Sequence, residues 1–567
     1  MIILNYFIPT VSDFNSYVKS SLSADAVAGI ITALLIIPQG VAFALLAGLP
    51  PQMGLYASVI GPAAYALFGT SRTLSVGPVS VAAIMVAAAL ANNQLGADVT
   101  QNATLLALEC AAIFALLAIL RAGWLVNLVS HPVLSGFTTG AAVLILFSQV
   151  PQLAGYQGPK EIHGWQSYRE IVSGLGQLQS VTLALGVAMI ALLLIAAKPF
   201  AGLLKKTALP VAGQNAIIKS IPLVLIVLCA LAAYAFDSSD LVARVGVISS
   251  SLPTFSFAPL QSRDWLTLLP AAFMIAVIGY VEGIAIAQSL ASRARETINP
   301  DREFVALGVA NAAAGFFGAM PVAGGLSRTM VNYSSGAKTQ IASIVTAVIA
   351  GLSLLLFAKW FAHIPKTALA AIIMVAVLPL INVRGFLDIL HTDKSDALIF
   401  ALTAILVLVL SIERGLLAGI AASILLFLWR AAHPHMAEVG RVKDTQHFRN
   451  IKRHEVETWP GLRIFRVDES LSFANAAIVR NQLTEAAQKS TRDVVLLCTA
   501  INHIDSTAFE MLESVAHDLC TAGVGFHLAE VKGPVMDKLQ QANFAQHLLP
   551  GKIFFRIDEA IEQLHHI

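Results

Sequence analysis

Residues 321–340, PVAGGLSRTMVNYSSGAKTQ, set one cation among small hydroxyl and amide side chains. Apolar segments long enough to cross a bilayer lie on both sides. Arg328 follows Gly324 and Gly325, and Thr329, Asn332, Ser334 and Ser335 follow it. The glycine pair favours a helix break, and Ser327 is a candidate N-cap for a short helix that begins afresh at Arg328. A helix N-terminus already carries about half a positive charge. A guanidinium placed there is unfavourable unless something negative joins it, so these residue types predict an anion site inside the membrane. On these residues alone two other readings stay open: Arg328 snorkels to a headgroup, or it closes an internal salt bridge.

Three more groups suit the same chemistry. In residues 71–90, SRTLSVGPVSVAAIMVAAAL, Gly77-Pro78 precede a short apolar helix predicted to start at Pro78 or Val79. One interrupted helix in each half, each opening on Gly or Gly-Pro, is the pattern of inverted-repeat carriers, whose half-helix N-termini meet near the midplane around an anion. Pro38-Gln39-Gly40 interrupts an apolar run, and Gln39 and Phe43 stand four apart on one helix face. In FMIAVIGYVEGIAIAQSL, Glu282 has apolar neighbours on both sides, so it should face the bundle interior, and Gly279 and Gly283 admit a close neighbour. Glu282 has a plainer role open to it, a structural hydrogen bond, and Gln39 another, interhelical packing.

The elements that must position these groups follow from composition. The 567 residues are 57% hydrophobic and 12% charged, with a mean hydropathy of +0.74. Soluble chains are about 25% charged, so this is an α-helical polytopic membrane protein. A net charge of +2 gives no reason to expect nucleic acid as a partner. Cys110, Cys229, Cys498 and Cys520 form no CxxC pair, so neither disulfide framework nor metal site is expected. His131, His363 and His391 stand isolated, with no nucleophile or ligand spacing, so an enzyme is not expected. Asp13 and Lys19 run straight into a long apolar segment, and no cleavable signal is expected. Windows of about 20 apolar residues, full or interrupted, total about fourteen segments. With both termini cytoplasmic, the inner joints carry Arg72, Arg121, Lys198, Lys205, Lys206, Lys219, Arg293, Arg295, Arg302, Lys338, Arg384 and Lys394. The outer joints carry Lys160, Arg169, Arg244, Arg263, Lys359, Lys366 and Arg414. This bias supports cytoplasmic termini.

After Arg430 the chain turns polar. We expect a transmembrane domain over residues 1–431, a charged linker over 432–458 and a soluble α/β domain over 459–567. There LRIFRV and DVVLLC read as strands, a helix runs from Ala474 to Lys489, and Asp505 and Ser506 open a further helix.

Residues 37–78, IPQGVAFALLAGLPPQMGLYASVIGPAAYALFGTSRTLSVGP, resemble the hallmark of the sulfate permease (SulP) family of anion transporters. YVEGIAIAQSLASR and GLSRTMVNYSSGAKTQ resemble its second-half motifs, and their wording is most like the proton-coupled sulfate transporters. INHIDST (501–507) and AEVKGPV (529–535) are similar to the STAS domain. The resemblance implies two seven-helix inverted repeats, divided into core and gate domains, with a small cytosolic STAS domain. The anion would lie between the third and tenth half-helices. Gln39 and Phe43 would line the site, Val79 and Ser80 would cap it from the third segment, Ser327 and Arg328 from the tenth, and Glu282 would face it. Val79 and Phe43 stand where relatives carry Phe or Tyr. In the tail, Cys498 replaces a common aspartate and Ala508 a common glycine. That argues against a phosphoswitch at Ser506 or Thr507, and Asp505 reads as a helix cap.

The resulting expectation is symport of sulfate with protons by alternating access, with no cofactor and with H+ as coupling ion. Glu282 would be the proton-coupling group. The rivals keep the fold: sodium-coupled bicarbonate transport, proton-coupled dicarboxylate transport, or anion exchange. A homodimer in the inner (plasma) membrane, and a protein partner for the tail, are expected from the resemblance.

Overall fold

The computed structural model describes residues 19–91, 98–124, 130–159, 164–196, 211–235, 242–246, 248–410, 412–486 and 491–565. Asp13, Lys160, Lys198, Lys205, Lys206 and Lys489 lie outside them. Contacts divide the chain into two compact units, Met1–Ala421 and Ala422–Ile567, and each is described by itself.

The first unit opens with α1 (Lys19–Leu46), α2 (Pro51–Phe68), strand β1 (Val76–Gly77) and the short α3 (Ser80–Leu90). Next come α4 (Val99–Ile119), α5 (His131–Ala154), α6 (Gly164–Gly174), α7 (Ser180–Ile195) and α8 (Val211–Ala235). The same order then recurs: α9 (Trp265–Ala294), α10 (Pro300–Phe316), strand β2 (Ala323–Gly324) and the short α11 (Leu326–Ser334). It continues with α12 (Ile341–Phe361), α13 (Lys366–Val377), α14 (Val383–Thr392), α15 (Lys394–Val409) and α16 (Ile412–Ala432). α6 and α14 occupy corresponding places, and both are short and amphipathic. Without them, fourteen helices remain among the described residues, seven in each repeat. By length and composition seven spans qualify among the described residues, one of them running from α13 through α14, and up to eight with the bent pair ending in α7.

Packing sorts the helices into two bundles. α1, α2, α4, α9, α10 and α12 pack on one another, and α5, α7, α13 and α15 form a second group. Each bundle draws on both repeats. Where α1 crosses α2 only glycine fits, because a Cβ on Gly54 would lie 1.8 Å from the Gly40 carbonyl oxygen. Two buried carboxylates tie one repeat to the other. Asp25 accepts from the Lys338 and Thr339 amides (2.6 and 3.1 Å) and the Thr339 hydroxyl (2.7 Å), pinning the loop after α11. Glu303, reciprocally, accepts from Tyr65 Oη (2.8 Å), the Thr70 and Ser71 amides (2.7 and 3.2 Å) and the Thr70 hydroxyl, pinning the loop after α2.

The second unit is a six-stranded sheet in the order β4-β3-β5-β6-β7-β8. Its strands are β3 (Met436–Arg441), β4 (Phe448–Asn450), β5 (Leu462–Val467), β6 (Asp493–Leu497), β7 (Gly525–Ala529) and β8 (Ile553–Phe554). β3 runs antiparallel to β4 and β5, and β5 to β8 are parallel. α17 (Ala476–Ala486), α18 (Ser506–Thr521), α19 (Gly533–Gln541) and α20 (Phe544–His547) contribute to the core that holds Val494 and Leu496. α21 (Ile557–His565) covers Val495 and Leu497 on the other face. Burial on both faces is why β6 reads as an unbroken apolar run. The stretch expected as a linker holds β3 and β4. MAEVGR buries Ala437, Val439 and Gly440 and half-buries the rest, so its charged residues conceal an edge hairpin. Asp505 caps α18 by accepting from the Ala508 amide (2.8 Å) and also holds the Phe473 amide (2.7 Å), as its capping role predicts.

His527 locks the parallel edge. Its Nε2 lies 3.1 Å from Asp493 Oδ1, and its Nδ1 accepts from the Lys552 amide at 3.1 Å, so the neutral tautomer carries its proton on Nε2. Burial lowers its pKa from the free-imidazole value of 6.5, against the pull of Asp493. A base whose folded-state pKa is depressed contributes stability that is complete above about pH 6.5 and is lost as pH falls through the folded value. Amide exchange in β7 and β8, corrected for intrinsic rate, should therefore lose protection as pH falls below about 6.5. His527→Gln should flatten that dependence, and an equal pH dependence in the variant would remove His527 as its cause.

Candidate anion site

The site begins with two broken helices. β1 pairs antiparallel with β2, Val76 opposite Gly324 and Gly77 opposite Ala323, so the segments leading into α3 and α11 are bound to each other across the repeats. Extended backbone inside a membrane leaves polar groups to satisfy, and the second repeat supplies much of what the first needs. The Gly325 amide donates to Ser75 O (3.0 Å), and the Ser75 amide to Thr329 Oγ1 (3.0 Å). Asn332 Nδ2 donates to Thr73 O (2.9 Å), and Gln340 Nε2 to Ser71 O (2.5 Å) and Leu74 O (3.2 Å).

Neither half-helix has a side-chain cap. Val79 is the N-cap of α3 and Gly325 that of α11, both with extended backbone. Ser327 is therefore not a cap: α11 starts at Leu326 and Ser327 is its second residue. The β1–β2 pairing and the Gly325–Ser75 bond keep the chain extended through Gly325, which sets the cap there. In the first half the helix starts at Ser80, just after the expected Pro78 or Val79. Both N-termini thus keep backbone N–H groups available to a ligand.

Arg328 sits at the third position of α11 and is 2% exposed. Nη1 donates to Pro78 O (2.7 Å) and Gln39 Oε1 (3.2 Å). Nε and Nη2 are buried without a hydrogen-bond partner, and among the described residues the group is in no ion pair. It neither snorkels nor closes a salt bridge, which removes both alternatives left open by the sequence. The guanidinium lies against glycine backbone. A Cβ on Gly325 would stand 2.7 Å from Nη2, and one on Gly77 3.4 Å from it.

Glu282 enters from α9. That helix meets β2 through its two glycines: a Cβ on Gly279 would lie 2.9 Å from Ala323 Cβ, and one on Gly324 2.9 Å from Gly283 Cα. This close approach sets Glu282 at the cavity wall, with Oε2 buried and unpartnered. A structural hydrogen bond does not occupy that oxygen. Gln39, Phe43, Val79, Ser80, Glu282, Ser327 and Arg328 all line one cavity of about 50 Å³. At roughly 10–15 Å³ of such space per water, that is room for a small polyatomic ion.

Sequence reasoning missed the far wall, made by Ala376 and Val377 at the end of α13 and Leu380 in the 3-10 turn that follows it. They are apolar residues in an apolar run and carry no signal. It also missed Asp25 and Glu303, whose partners lie hundreds of residues away. Among the described residues no group of three or more His, Cys, Asp or Glu is placed to hold a metal ion.

Alternating access requires a site built by both repeats and covered by a second bundle. This cavity meets both conditions with a cation at its centre, so the molecule is a membrane carrier of anions. The chain belongs to the sulfate permease family: the model of that family matches residues 22–403, and the STAS domain model matches 453–560. It is 32% identical over 556 residues to sulfate transporter 4.1, chloroplastic, of Arabidopsis thaliana, covering 95% of this chain and 79% of that one. It is 31% identical over 566 residues to a probable sulfate transporter of Mycobacterium tuberculosis, covering 98% and 97%. The fold matches murine Solute Carrier 26 family member A9, an anion transporter, in the inward-facing state. The TM-score is 0.89 at 21% identity, covering 100% of this chain and 95% of that one. It also matches the transmembrane domain of the cyanobacterial bicarbonate transporter BicA, at TM-score 0.59 and 21% identity over 72% and 98%. The fold is thus a helical anion-transporter fold with a C-terminal STAS domain.

Gly325→Ala tests the packing of the guanidinium without touching its charge. The added methyl must displace Arg328, so anion affinity, measured calorimetrically on purified protein, should fall tenfold or more. An unchanged affinity would show that Arg328 has no fixed position to lose.

Proposed function

We propose that this chain takes up sulfate in symport with protons, holding the anion between the N-termini of α3 and α11. One observation carries the reading: a buried guanidinium keeps Nε and Nη2 unpaired beside a cavity it shares with a carboxyl group. An unpaired buried cation is strongly unfavourable, and a desolvated oxyanion, with oxygens for each of those donors, is its natural complement. Relatives spanning nearly the whole chain are named sulfate transporters, which favours sulfate over other oxyanions. Arg328 and the N–H groups at Val79, Ser80 and Ser327 bind the oxygens, while Gln39 holds the guanidinium and Phe43 fills the wall. Glu282, ionised, repels a dianion; with a proton it does not, and that difference couples the two. The bundle that holds the anion moves against the one carrying Ala376, Val377 and Leu380 to expose the site alternately.

The protein works as a homodimer in the inner (plasma) membrane with both termini cytoplasmic. The lysine and arginine bias supports the orientation, and the STAS resemblance supports the dimer and a cytosolic partner for the tail.

The test is labelled sulfate uptake into proteoliposomes with and without an inward proton gradient. Accumulation that requires the gradient and collapses with a protonophore is the expected result. No sulfate uptake under any gradient, from folded and inserted protein, would overturn the reading. Arg328→Ala removes a charged hydrogen-bond donor worth about 1.5–3 kcal/mol, so apparent affinity should weaken by roughly 10- to 150-fold. Glu282→Gln should still bind sulfate but lose its response to the gradient, and a retained response would remove Glu282 from coupling.

A further inference from the structure

A further carboxyl, besides Glu282, Asp25 and Glu303, lies inside the membrane unit, away from the anion cavity. Glu109 is the eleventh of the twenty-one residues of α4, about 15 Å from either helix end at 1.5 Å per residue. It is 1% exposed. Both of its carboxyl oxygens are buried, and neither has a hydrogen-bond partner among the described residues.

The elements packed on α4 are α10, α9, the 3-10 turn Ala258–Gln261 and α3. The turn and α3 carry no titratable group. α9 carries Tyr280, whose hydroxyl donates to Pro300 O (2.8 Å), Glu282 at the anion cavity, and Arg293 in its last turn. α10 carries Asp301, which accepts from the Gly123 amide (2.8 Å), then Arg302 and Glu303 in its first turn. On α4 itself, Cys110 Sγ lies 3.4 Å from Ala272 O. Among the described side chains, none of these groups reaches the Glu109 carboxyl.

An ionised carboxylate sealed from water without a counter-charge or donor is unfavourable by several kcal/mol. The neutral acid escapes most of that penalty. Yet a neutral acid that bonds to nothing adds no stability over an apolar side chain of the same shape, so packing does not account for Glu109. What it retains is the capacity to gain and lose a proton. Its helix packs on α9, which carries Glu282, and on the half-helix α3, both of which wall the anion cavity.

We infer that Glu109 holds a proton in this state and is a second proton site of the transport cycle. The carboxylate forms one O–H bond with a proton from the outer solution, and that bond breaks on the inner side as the core moves. The first half of the inference is independent of the proposed function, and the second half rests on it. A sulfate dianion accompanied by one proton moves one negative charge, whereas with two protons it moves none.

Two measurements decide this. Infrared spectroscopy of the purified full-length protein at neutral pH should show the C=O stretch of a protonated carboxyl free of hydrogen bonds, absent from Glu109→Gln. In proteoliposomes with clamped potential, wild-type sulfate accumulation should not respond to an inside-negative potential. In Glu109→Gln it should fall about tenfold for each ~60 mV, from about 2.3 kcal/mol per charge per 100 mV. A carboxyl band unchanged by the substitution overturns the protonated state. A lost band with the same potential dependence in both proteins overturns the transport role and leaves a resident proton. If Glu109→Gln does not fold, Glu109→Asp should shift the band, and wild-type uptake that already moves net charge overturns the role by itself. If sulfate is not transported at all, the transport role falls with the proposed function while the band still decides the protonation.

Discussion

A guanidinium buried inside the membrane unit must be neutralised by something, and among the described residues no carboxylate is in an ion pair with that of Arg328. Arg328 has its Nη1 held by Pro78 O and Gln39, while its other nitrogens are left open. A fixed carboxylate in contact would satisfy it permanently and abolish the site. Setting Glu282 on the same cavity without an ion pair keeps both charges responsive. Much of the surrounding architecture serves to hold this unfavourable group still. Glycine at 77 and 325 brings backbone against it, and the β1–β2 pairing prevents either half-helix from extending over it.

The repeat explains how one chain builds such a place. Each half breaks its third helix, and antiparallel pairing of the two breaks brings both N-termini to one point. Extended backbone at that depth survives because the other repeat satisfies it, through Thr329, Asn332 and Gln340. Asp25 and Glu303 then fasten the adjoining loops reciprocally. Polar strength is thus concentrated within the bundle that holds the anion. The second bundle contributes only apolar residues to the cavity wall, which can separate without breaking a hydrogen bond.

Local chemistry was legible in the sequence and long-range pairing was not. A cation after paired glycines, a carboxyl between Gly279 and Gly283, and Gly-Pro before a short helix each state their constraint within a few residues. Ser327 misled because its capping propensity is real but weaker than the strand pairing that fixes Gly325. Asp25 and Glu303 went unremarked because their partners are 313 and 233 residues distant. Glu109 was passed over because nothing adjacent marks it, and only burial on every side gives it meaning. In the tail, β6 was plain from its apolar run, whereas β3 and β4 lay under charged residues on a sheet edge.

The charges of the site supply a reason for coupling. Arg328 contributes one positive charge, and the two half-helix N-termini about half a charge each, so the empty site carries about +2 with Glu282 neutral and about +1 with it ionised. A bound dianion brings the protonated site to about zero, and the unprotonated one to about −1. A region that must shift through a low-dielectric membrane does so most easily near neutrality. The loaded core therefore moves best with a proton on Glu282, and the empty core returns best without it. Over a full turn this moves one net negative charge inward, the same as one proton with one dianion. A carboxyl elsewhere in the moving bundle that is neutral on the inward step and ionised on the return removes that last charge. Glu109 has the position and the lack of partners such a group requires, since a fixed counter-ion would prevent it from changing state.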